Sequence, residues 1–217
     1  MPIAMLSFAG KVREVFDFSQ GRNAISKWLN QGPGQEPELG YPARTALFDS
    51  VFAGLQLLQP VQAGDALYVI TDAGDDASVA SAARTKKTLL QSGVRMYTLL
   101  FAEPSMVPDE QDAKVSFLSM VQDSGGFAFG LSGHLRAGQP PWQSACTYPD
   151  DNPDRIKLYT EQLTTQVNGF WTLEVVAPLS SNRKSKMTLE IVGNDGRIRK
   201  DVGITYCRVL PSIKSSD

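Results

Sequence analysis

Hydrophobic and polar positions change rhythm repeatedly along this chain, and each change predicts an element. "AMLSFAG" (Ala4 to Gly10) is apolar at almost every position, whereas "VREVFDF" (Val12 to Phe18) alternates. Gly10 and Lys11 between them make a connection short enough for an antiparallel hairpin. "NAISKWLNQ" then sets Ile25, Trp28 and Leu29 at helical spacing, and "GPGQEPELGYP", punctuated by glycine and proline, reads as a surface loop. From Ala43 to Gln59, Leu47, Val51, Leu55 and Leu58 share one face with Phe48 and Phe52 beside them, the broad apolar stripe of a core-facing helix.

Strand and helix patterns then take turns. "DALYVITD" (Asp65 to Asp72) predicts a buried strand, and an alanine-rich helix is expected from about Ala77 to a stop at Gly93. "RMYTLLFA" (Arg95 to Ala102) predicts a strand, Glu110 to Gly126 a helix closed by paired glycines, and "FAFGLS" (Phe127 to Ser132) a short strand. Alternation at this spacing implies an α/β fold. Its parallel strands would be joined by right-handed helical crossovers, in a Rossmann-like sheet with helices on both faces.

Beyond Ser132 the character changes. Residues 134–154 are rich in proline, glycine and acid and read as a connector. "RIKLYTEQLTTQV" predicts an amphipathic helix through Ile156, Tyr159, Leu163 and Val167. "GFWTLEVVAP", "KMTLEIVG" and "DVGITYCRVLP" are strand runs, the last two joined around Asn194-Asp195-Gly196, a strong turn signal. Residues 155–217 are therefore expected to form a helix plus a β-rich extension.

Composition narrows the function classes. The 217 residues, 42% hydrophobic, are enough for one medium domain with an appendage. A net charge of −2, from 21 basic and 23 acidic side chains mixed along the length, leaves no electrostatic footprint for nucleic acid or an anionic membrane surface. No apolar run approaches the roughly 18–20 residues of a membrane span. "MPIAMLSFAGKVRE" lacks the pattern of an export signal, so the chain as written is expected to be neither exported nor anchored. Cys146 and Cys207 are far apart in sequence with no CxxC, and pair only if the fold brings them together.

The candidate chemistry centres on Asp72, which stands where the strand "DALYVITD" ends. Ligands of open parallel sheets gather at that carboxyl edge. Thr45 heads the helix preceding the same strand, and a carboxylate with a hydroxyl is suited to a hard divalent cation. The same positions also suit plain structural work, with Asp72 capping the next helix or holding turn amides and Thr45 capping its own helix. Asp75 and Asp76 read as first-turn acids opposing a helix dipole. His134 is the chain's one histidine and has no nucleophile context. The cluster Asp150, Asp151 and Asp154 is broken by proline and does not reproduce a calcium loop. Neither a GxxxxGK[ST] loop nor a GxGxxG after the first strand is present. A phosphoacceptor receiver domain using Asp72 would want a hydroxyl ending the next strand and a lysine ending the one after. Here the former ends Leu100-Phe101-Ala102 and "FAFGLS" has no lysine.

Thr45-Ala46-Leu47-Phe48-Asp49, then "YVITDAGDDAS", "GVRMYTLLF" and "LSMVQDSGGFAF" in that order, resemble the second half of a von Willebrand factor type A domain. More narrowly, the chain resembles bacterial members whose C-terminal tail continues past the domain into a short β region, a part that the resemblance covers weakly. The resemblance covers residues 3–133, so residues 1–133 are expected to form an incomplete domain of this type. In that family an Asp-x-Ser-x-Ser loop, a threonine and an aspartate build a metal-ion-dependent adhesion site. Thr45 matches the threonine and Asp72 the aspartate, while Ala73 replaces the usual glycine, a departure expected to tighten the loop.

The Asp-x-Ser-x-Ser loop has no counterpart. "DFSQG" at Asp17 is in the wrong place, and "DASVAS" at Asp76 is a capping pattern. The resemblance thus implies a sheet lacking its first, central strand and the helix after it. Either the true start lies upstream, or the sheet closes across the gap, or a partner chain donates a strand by β-augmentation. The implied function is a non-catalytic protein-binding module with Thr45 and Asp72 as the metal ligands that remain. They would hold Mg2+ weakly or not at all, and the partner would be another protein. The rival classes are an α/β enzyme using Asp72 and a structural domain with a degenerate site.

Overall fold

The structure, a computed structural model, describes residues 2–31, 44–100, 108–130, 153–169, 189–193 and 195–199. The first two strands, β1 (Met5–Phe8) and β2 (Val12–Phe16), form the expected antiparallel hairpin, with a register shift between Leu6 and Phe8. Helix α1 (Gly21–Gln31) follows, burying Ile25 and setting Trp28 against Phe16 of β2 with ring centroids 5.9 Å apart.

Helix α2 (Leu47–Leu57) leads into β3 (Ala66–Thr71), α3 (Ala82–Ser92), β4 (Arg95–Leu100), α4 (Pro108–Asp123) and β5 (Ala128–Gly130). Strands β3, β4 and β5 form a three-stranded parallel sheet in that order. The α/β class and the parallel pairing are those expected from the alternation of patterns.

Side chains alternate across the strands. Leu67, Val69, Met96 and Leu100 face α2, α3 and α4, which bury Leu47, Phe48, Val51, Leu55, Leu89, Phe117 and Met120 in one cluster. The opposite face of β4 and β5 offers Tyr97, Leu99 and Phe129, and these are covered by Tyr159, Leu163 and Val167 of α5 (Pro153–Asn168). Two carbonyls in the last turn of α5, Gln166 and Val167, accept hydrogen bonds of 3.0 and 3.1 Å from the Arg95 guanidinium. A cation there also meets the negative end of the helix dipole.

Two helices start later than their sequence patterns suggest. Expected from Ala43, α2 begins at Leu47, because Ala46 N–H donates to Ala9 O at 2.7 Å and the main chain of Thr45 is engaged by residues 76 and 77. Expected from about Ala77, α3 begins at Ala82 behind the cap Ser81, since residues 75–80 are tied to the start of α2. Glycines end helices as anticipated: Gly93 takes φ +72 after α3 and Gly125 takes φ +82 after α4.

In the tail, a bridge between Val192 and Ile198 closes the turn at Asp195 and Gly196, where Gly196 has φ +75. The loop at 32–42, His134, Cys146, Cys207, the acids Asp150 and Asp151, and the strand runs at 170–178 and 201–211 lie outside the described residues. Among the described residues no helix is long and apolar enough to cross a membrane.

Candidate functional site

The carboxyl end of β3 carries the acids singled out in the sequence, and the structure gives each a separate task. Thr71 closes the strand, and its hydroxyl accepts the Ala73 N–H at 3.0 Å. Asp72 is exposed, and its Oδ1 accepts the Gly74 N–H at 3.0 Å. Its second oxygen, Oδ2, accepts no hydrogen bond from any described residue. Asp72 therefore holds a turn amide, one of its two structural options; the cap of α3 is Ser81, whose Oγ accepts Arg84 N–H at 3.3 Å.

Ala73 sits between them fully buried and at φ +69. A non-glycine residue there costs about 1–2 kcal/mol, so the loop carries a local strain that a glycine would not.

The three acids around it are engaged with backbone. Asp75 Oδ1 accepts the N–H groups of Leu47 at 2.8 Å and Phe48 at 3.3 Å, together with the Ser78 hydroxyl at 2.5 Å. It caps α2, the helix before the loop, and not α3. Asp49, in the first turn of α2, returns the contact: its two oxygens accept Val79 N–H at 2.9 Å and Ala80 N–H at 2.8 Å. Asp76 Oδ1 accepts Thr45 N–H at 2.6 Å, and its carbonyl is held by the Arg44 guanidinium. This corrects the expectation that Asp75 and Asp76 oppose the dipole of α3.

Thr45 is engaged through its main chain, its carbonyl accepting Asp76 N–H and Ala77 N–H at 3.0 Å each. The structure does not use it as the side-chain cap of α2: the cap position is Ala46, which makes no side-chain bond. Thr45 is thus stitched to residues 76 and 77 of the loop that Asp72 opens, and no hydrogen bond joins the side chains of Thr45 and Asp72. Among the described residues no group of three or more His, Cys, Asp or Glu side chains converges as a metal site.

"DFSQG" resolves into a turn. Asp17 Oδ1 accepts both the amide of Ser19 at 2.8 Å and its hydroxyl at 2.5 Å, and these bonds hold the Asp17 carboxyl below its ordinary value. The residues that sequence reasoning missed are Asp49 and Asp75 as reciprocal caps. The only local signal was an acid in a helix's first turn and a Asp-x-x-Ser run, both common. No family model, curated protein or solved structure matches the chain. The functional reading therefore rests on geometry and on the pattern of residues.

Proposed function

We propose that this chain is a non-catalytic protein-binding module of the von Willebrand A type whose metal-ion-dependent adhesion site is incomplete. The observation that carries the reading is the division of oxygens at the carboxyl end of β3. Asp49, Asp75 and Asp76 are committed to backbone amides, while among the described residues none donates to Asp72 Oδ2. The order of elements from β1 to β5 and the left-handed Ala73, where the family's glycine belongs, support the same reading.

Mg2+ demands a near-octahedral shell of oxygen ligands. Thr45 and Asp72 offer two side chains, so water fills most of the shell and affinity is low. In relatives of this type a carboxylate from the partner protein completes the coordination.

Calorimetric titration of the full chain with MgCl2 is expected to show no binding in the micromolar range, for the natural chain and for Asp72→Asn alike. Micromolar binding that Asp72→Asn abolishes would mean that further ligands complete the site. Incubation with acetyl phosphate is expected to leave Asp72 unlabelled, because β4 ends in leucines and no lysine stands on β5. Stable phosphorylation of Asp72 would replace the binding-module reading with a phosphoacceptor one.

A further inference from the structure

Helix α5 crosses the second face of the sheet at a slant. In its first half the Tyr159 ring lies 5.6 Å from that of Phe129 on β5, and in its last turn the carbonyls of Gln166 and Val167 accept hydrogen bonds from Arg95, the first residue of β4. Arg95 is the ladder partner of Ala66, the first residue of β3. The helix thus runs from β5 toward the start of β3 and stops there, with Gly169 N–H closing the last turn on Thr165 O at 2.8 Å.

The face of β3 beyond that point is apolar and only partly covered. Tyr68 and Ile70 share the face of their ladder partners Tyr97 and Leu99, which α5 seals. Ala66 packs into that same sealed cluster, whereas Tyr68 is 42% and Ile70 52% exposed, so the cover fades with distance from the end of α5.

The residues that continue from Gly169 match this face in pattern and reach. Trp171, Leu173 and Val175 alternate with Thr172 and Glu174, the period of a strand with one apolar side. At about 3.3 Å per residue, residues 170–177 extend about 26 Å, more than the roughly 20 Å of β3. Other segments suit the place less well: residues 32–43 and 131–152 are rich in proline and glycine, and 101–107 leave the sheet at its opposite end.

We infer that residues 170–177 run as an extended strand over the second face of β3, setting Trp171, Leu173 and Val175 on Tyr68 and Ile70, as the inner faces of two packed sheets meet. The C-terminal extension then belongs to the core of the α/β layer, and a partner protein is left the loops at the carboxyl edge. The inference stands on α5 and β3 and does not depend on the metal reading.

Thiol labelling of the full chain tests it, with Cys146→Ser and Cys207→Ser removing the natural thiols. Val79→Cys, at a position 94% exposed, sets the rate of an open site, and Leu89→Cys, at a fully buried one, reports an intact core. Ile70→Cys is expected to react with a maleimide at least about tenfold more slowly than Val79→Cys. Adding Leu173→Asp removes that difference, whereas Thr172→Asp, on the other side of the strand, leaves it.

Equal rates at Ile70→Cys and Val79→Cys overturn the proposal, since the face is then open. Slow labelling that Leu173→Asp does not change means that another segment covers the face, and slow labelling that quickens on dilution means that a second copy does; either overturns it. If Leu173→Asp also exposes Leu89→Cys, the chain has unfolded and a cross-link decides instead. A short bis-maleimide then joins Ile70→Cys to Leu173→Cys and not to Thr172→Cys, and the absence of that preference overturns the proposal.

Discussion

Gly126 has no room for a side chain. A Cβ there would stand 1.8 Å from the carbonyl oxygen of Met96, because the chain leaving α4 passes directly against β4. Neighbouring Ser124 fixes that approach, its hydroxyl accepting Met96 N–H at 3.0 Å and donating to Val121 O at 2.9 Å. Gly126→Ala is therefore expected to destabilise the protein by about 3 kcal/mol or more, since backbone has to move to relieve the clash. Urea denaturation measures it, and a loss under about 1 kcal/mol would mean that the two segments separate easily. At Ala73 the strain runs the other way: the fold forces a left-handed conformation on a residue that has a Cβ and keeps it in place by complete burial.

Between elements, the loop after β3 and the start of α2 act as a reciprocal clamp. Asp75 takes two amides at the start of α2, and Asp49 of α2 takes two amides of the loop, across sequence separations of 27 to 31 residues. Helix starts leave amides without intrahelical partners, and Ala46 has no side-chain oxygen with which to cap them. Asp75→Ala is expected to cost about 1–2 kcal/mol, the range for loss of a helix cap. Thermal melts that show no change would indicate that water or Ser78 replaces the carboxylate. The same clamp explains why the acids nearest Asp72 are unavailable to a cation.

Across the described residues, α2, α3 and α4 pack on one face of the three-stranded sheet and α5 packs on the other. Helix α5 seals β4 and β5 and leaves Tyr68 of β3 half-exposed. Burial nevertheless pushes the Tyr68 hydroxyl up to about 12, from an ordinary value of 10.0, and raises that of Tyr97 as well, partly offset by the positive charge of Arg95. Both shifts favour the neutral phenol in the folded chain. Their contribution to stability is whole below pH 10 and is lost as pH rises from 10 toward 12, where the unfolded chain gives up protons that the folded one keeps. Denaturation midpoints are expected to fall across that window, less steeply in Tyr68→Phe. Absorbance titration at an ultraviolet wavelength for tyrosinate should show Tyr68 and Tyr97 ionising above the ordinary value, and a single transition near pH 10 would contradict the burial of both.

Among the described residues, the sequence by itself determined which segments became strands and helices, because that information is local. Apolar period, the glycines at 93 and 125, and the stop of β3 before Asp72 are all read within a few residues. It also placed Asp72 and Thr45 at one edge of the sheet, since strand ends and helix starts meet there in any parallel α/β layer. Tertiary structure alone decided what the side chains at that edge do. Hydrogen bonds between residues about thirty apart turned Asp49 and Asp75 into caps and moved the starts of α2 and α3. It alone also set α5 on the second face and, among the described residues, left β1 and β3 on one helix without a ladder between them. Pairing and covering depend on which distant surfaces meet, and no local period encodes that.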